Sequence, residues 1–85
     1  TYLTKKLLMN KNDRKQLQEA VELISKAMTI VEDVKYSEEE KYENLSEGLK
    51  CSERGETFTE NVDELDSVIT SMEENVSIIE NVIDK

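Results

Sequence analysis

The sequence predicts an all-α protein, an antiparallel two-helix hairpin of the coiled-coil kind that dimerises into a four-helix bundle. Three observations predict it. Apolar residues recur at alternating spacings of three and four in two long stretches, the rhythm of a helix that buries one face. The chain has no Pro, and its two Gly, Gly48 and Gly55, both lie between those stretches. Hydrophobic and charged residues each make up 36%, a poor supply for a globular core, so the order must come from pattern rather than from quantity. Eighty-five residues form one domain at most, and so short a chain buries too little apolar surface for comfort, which raises the expectation of self-association.

Residues 1–11 read as a basic extension. Residues 1–15 hold five basic side chains against one acid, whereas residues 53–85 hold two against ten, out of a net charge of −9. The uninterrupted apolar run Leu7-Leu8-Met9 is far shorter than a signal core or a bilayer span. The reading is a cytoplasmic protein without membrane association.

The first helix is expected at about 12–45, with Asn12 or Asp13 as its cap. Its seam comprises Leu17, Val21, Ile24, Met28 and Val31, and resumes at Tyr42 and Leu45; Ala20, Leu23, Ala27, Ile30 and Val34 form a flanking row. Lys35 and Glu38 interrupt the seam. A recognition gap is one reading of this break; the plainer one is a drift of the buried face, with Val34 taking over. The turn is expected at about 46–52, Gly48 ending the first helix through a positive φ and Ser52, with Glu53 and Glu56, opening the next.

The second helix, about 53–84, carries the clearest signal. Phe58, Val62, Leu65, Ile69, Met72, Val76, Ile79 and Ile83 follow the three–four rhythm without a violation. With Val62, Ile69, Val76 and Ile83 at heptad a, the g column reads Asn61, Val68, Asn75, Val82. That stripe is too wide for a two-column seam and suits a bundle with more than one neighbour. Asn61 and Asn75 either face water or pair across an interface to fix its register.

The turn carries a resemblance. Tyr42-Glu43-Asn44-Leu45-Ser46-Glu47-Gly48-Leu49, followed by Ser52-Glu53-Arg54-Gly55-Glu56, resembles the block NLPEGLQxSERGE of a family of small helical proteins encoded by bacteriophages and prophages of Gram-positive hosts. It covers about residues 12–85 and departs at Ser46, where the family pattern has Pro. The resemblance implies origin and shape and brings no activity with it.

Composition narrows the chemistry. With no His, no Gly-rich phosphate loop and no Ser or Cys paired with a base, the usual routes to a nucleophile or general base are missing, so no enzyme and no cofactor are expected. A carboxylate-bridged metal pair in a bundle normally takes a Glu-x-x-His motif, and no metal is expected either. Cys51, the lone cysteine, reads as an incidental turn thiol.

What remains is protein binding. A self-associating homodimer that also binds another protein, and no nucleic acid directly, is the leading expectation. Candidate partner-binding residues are Glu53, Arg54 and Glu56 at the turn and Glu60, Asp63, Glu64, Glu73 and Glu74 along the second helix. Such an acidic face commonly serves solvation. Spaced like duplex phosphates, it would instead mimic DNA and block a host nucleic-acid-binding protein. A virion assembly factor is the third class; salt-sensitive competition with DNA, or co-purification with virion proteins, separates these two.

Overall fold

Asn10 opens the first helix. Its extended backbone (φ −74°, ψ 164°) leaves Oδ1 able to accept from the Asp13 N–H at 2.8 Å, satisfying one of the donors that a helix start leaves open. The structure, a computed structural model, describes residues 9–85; the expectations placed on residues 1–8 lie outside it. Helix α1 then runs Lys11–Glu43. The cap is thus Asn10 in place of Asn12 or Asp13, and Lys11 belongs to the helix. Asp13 falls in the first turn, where its carboxylate meets the positive end of the helix dipole.

The chain reverses through two extended serines. Asn44 and Leu45 tighten the end of α1 by donating to Glu40 O and Tyr42 O, each at 3.0 Å. Ser46 (φ −66°, ψ 159°) accepts from the Leu49 N–H at 3.4 Å and starts a one-turn helix, α2, Glu47–Lys50. Ser52 (φ −91°, ψ 172°) precedes α3, Glu53–Ile83. Its hydroxyl donates back to Leu49 O instead of capping α3. Gly48 is corrected by this geometry. It lies inside α2, and no described residue has a positive φ, because the extended backbones at Ser46 and Ser52 turn the chain without one. The φ of Ser46 is the angle a proline ring fixes.

Helix α3 returns antiparallel along α1. Lys35 Nζ meets Asp66 Oδ1 at 2.8 Å, and the open clefts between the helices join Val21 to Ile83 near the free ends and Tyr42 to Val62 near the turn. Stepping from the Lys35–Asp66 pair sets Leu17 level with Asp84, Met28 with Glu73 and Tyr42 with Thr59, each within one residue of the seam positions Ile83, Met72 and Phe58. The seam residues Leu17, Val21, Ile24, Met28, Val31, Phe58, Val62, Leu65, Met72, Val76, Ile79 and Ile83 are half-buried, and Ile69, at 8% exposed, is the buried centre. Among the described residues only Gly55 shares that burial. The core is a single layer of side chains between two rods.

One expectation about the seam is overturned. Val34 does not take over at the break, since it is exposed, while Lys35 and Glu38 keep the seam positions and are half-buried there. Helical geometry leaves no alternative: over a straight helix the three–four rhythm from Val31 to Tyr42 passes through 35 and 38.

Candidate interaction surface

Antiparallel pairing sorts the flanking columns to opposite sides of the hairpin. On one side a cleft is lined by Val34, Glu38, Asn61, Glu64 and Leu65, which places the flanking row of α1 and the g column of α3 together. Of the seven large apolar side chains exposed among the described residues, Tyr36 stands on the opposite side and Leu49 in α2; this side carries the other five, Leu23 at 58%, Ile30 at 63% and Ile78 at 60%, with Val34 and Val68. Ala20, Ala27 and Val82 join them, half-buried. Large apolar residues scattered singly over a surface mean little, whereas these share one face about 20 Å long.

The opposite side is acidic. Its clefts are lined by Gln18, Glu22, Glu80 and Asp84 near the free ends and by Glu39, Glu43, Thr59 and Asp63 near the turn. Lys35 answers part of this charge. Its ammonium lies 2.8 Å from Asp66 and 4.0 Å from Glu39, and the hydrogen bond to Asp66, with the two carboxylate charges, outweighs burial and raises its pKa above the ordinary lysine value. A raised pKa means that the pair's contribution to stability is complete below that ordinary value and is lost as pH climbs through the raised one. Denaturant midpoints measured across the alkaline range should therefore fall more steeply for the parent chain than for Lys35→Met, which keeps the stem and drops the charge.

The acidic candidates do not converge. Glu53, Arg54 and Glu56 stand exposed in the first turn of α3; Asp63 and Glu73 face the acidic side, Glu60 and Glu74 point away from α1, and Glu64 edges the apolar side. At the turn, Lys50 lies 3.8 Å from both Glu43 and Glu47 and over the Tyr42 ring at 5.5 Å. Both carboxylates are exposed while Lys50 is half-buried, so these pairs carry small energetic weight. Sequence reasoning recognised both flanking rows but did not bring them together; the signal was present in the g columns, since in an antiparallel pair g flanks g.

Among the described residues no three carboxylates or thiols gather as a metal-binding group, and no helix is long and apolar enough to cross a membrane. Cys51 is exposed in the turn. Comparison with protein-family models, with curated proteins and with solved structures found no match.

Proposed function

We propose that this chain is a non-enzymatic interaction module, of the phage and prophage kind its turn resembles, that acts in the bacterial cytoplasm by helix-mediated self-association and by binding a protein partner. The single observation that carries the reading is the one-sided apolar face of Leu23, Ile30, Val34, Val68 and Ile78. A hairpin whose core is one layer deep leaves that face in water, and covering it adds apolar burial that the single layer does not supply.

Sedimentation equilibrium tests it. The parent chain should behave as a dimer in the micromolar range, and Leu23→Glu/Ile30→Glu as a monomer. Thr29→Glu/Thr70→Glu, which adds the same charge away from the apolar face, should leave the dimer intact and so separate loss of the interface from mere added repulsion. A parent chain that stays monomeric throughout the range would refute self-association.

A second reading draws on the acidic side, a run of carboxylates along both helices. In this reading it occupies the basic surface of a host nucleic-acid-binding protein in place of DNA. Competition against DNA that weakens as salt rises supports it; indifference to salt counts against it.

A further inference from the structure

We infer that the occupant of the apolar face is a second copy of this chain, docked face to face about a two-fold axis that crosses the hairpin near Ala27 and Asn75, so that the two turns lie at opposite ends of a four-helix bundle. The inference rests on the self-association proposed above and specifies its geometry. Four observations lead to it.

The first is where the face is centred. Stepping eight residues from the Lys35–Asp66 pair brings Ala27 level with the neighbourhood of Asn75, and the exposed apolar side chains spread about equally to either side of that level. An isologous interface needs such a patch, one that maps onto itself under rotation.

The second is what the rotation brings together. On α1, with α1 antiparallel to its copy, the column Asp13, Ala20, Ala27, Val34, Lys41 maps onto itself. Ala27 then meets Ala27 of the copy, Ala20 meets Val34, and Leu23 meets Ile30. Small residues at the centre allow close approach, and bulky ones close the flanks. On α3, Val68 meets Val82 in the same way.

The third is charge. Opposite charges pair toward the ends of the face, Asp13 with Lys41 on α1 and Glu64 with Lys85 on α3, and all four are exposed in the single chain. Most of the remaining carboxylates stand on the far side, away from the interface.

The fourth is Asn75, an exposed amide between Val68 and Val82 in its row. On the axis it meets its own copy, and an Asn–Asn pair satisfies both a donor and an acceptor on each side. The alternative two-fold axis, parallel to the hairpin, sets Asn75 against Ala27 and buries the amide without a partner. One polar pair on the axis of an apolar interface is also what fixes register.

The area is adequate. Two rods 8–10 Å apart, each about 10 Å across, present a face about 20 Å wide; its apolar part, about 20 Å long, gives roughly 400 Å² per copy, and the contact reaches roughly 800 Å², the area that specific dimers bury, only when it runs the about 40 Å from Asp13 to Lys41 and takes in the charged ends.

Cys51, exposed in the turn, supplies a native reporter for the test. Labels on the two Cys51 residues of a dimer should lie about 70 Å apart in this arrangement, from some 23 residues of rise on either side of the axis, against under about 30 Å if both turns share an end. Asn75→Asp, isosteric but charged, should weaken association at least tenfold at neutral pH and recover on acidification, because two carboxylates on the axis can share a proton. A long separation with a weakened Asn75→Asp dimer supports the inference. A dimer with closely spaced labels, or one indifferent to Asn75→Asp, overturns it while self-association stands; a monomeric parent chain removes the reading beneath it as well.

Discussion

Replacing Gly55 by Ala should cost the hairpin about 2–3 kcal/mol and lower its midpoint of thermal unfolding by roughly 10–20 °C. Gly55 is buried in the first turn of α3, where α2 crosses it. A Cβ there would stand 2.6 Å from the Lys50 carbonyl carbon and 2.8 Å from the Leu49 oxygen, and closer still to the Lys50 oxygen. All three are backbone atoms, so no rotamer change relieves the clash. Either α2 moves off α3, which loosens the Ser46 and Ser52 turns that reverse the chain, or α3 starts later and surrenders its first turn. Gly48 provides the contrast. A Cβ at Gly48 meets nothing within 4 Å and its φ is not positive, so Gly48→Ala should stabilise by about 0.5–1 kcal/mol through helix propensity and a less free unfolded chain. Circular dichroism melts at one fixed protein concentration resolve the two, since self-association makes the midpoint depend on concentration. Equal effects from the two glycines would refute the close packing of α2 on α3.

The two glycines also mark the limit of what was legible from the residues. Two long helices, their seam and the site of reversal all follow from the three–four spacing, because a helix that must bury one face can do so only at that period. The form of the reversal does not follow. A sequence with Gly at 48 invites a left-handed cap, and nothing local says that two extended serines will turn the chain instead, or that Gly55 is present for close packing. The apolar surface was half legible. Both rows could be read, one on each helix, yet their union on one side of the molecule is a property of the antiparallel pairing and of its register, which depend on contacts more than thirty residues apart. The same holds for Lys35: its interruption of the seam is visible in the sequence, whereas its bond to Asp66 is not.

The break at Lys35 and Glu38 is where stability has been left unclaimed, and Glu38→Leu should recover about 1–3 kcal/mol, raising the thermal midpoint by roughly 5–15 °C. Glu38 occupies the seam level with Val62, its side chain only 16% exposed. One carboxylate oxygen, Oε1, lies 3.7 Å from the exposed Lys41 ammonium, and the other, Oε2, is buried without a hydrogen-bond partner among the described residues. A weak ion pair to an exposed lysine is thus the return for holding a carboxylate out of water. Leucine forfeits little and extends the row from Val31 to Tyr42. Lys35 is a different case, because Asp66, exposed at the edge of the seam, answers its charge, and the bonded pair ties a seam position of α1 to one level of α3. Replacing Lys35 by Leu leaves Asp66 without its partner and frees the helices to slide. Glu38→Leu should therefore give a sharper unfolding transition with unchanged hairpin register, and Lys35→Leu a broader one. Amide exchange along the seam would decide between them, and a destabilised Glu38→Leu would mean that the carboxylate has a partner in the assembled protein.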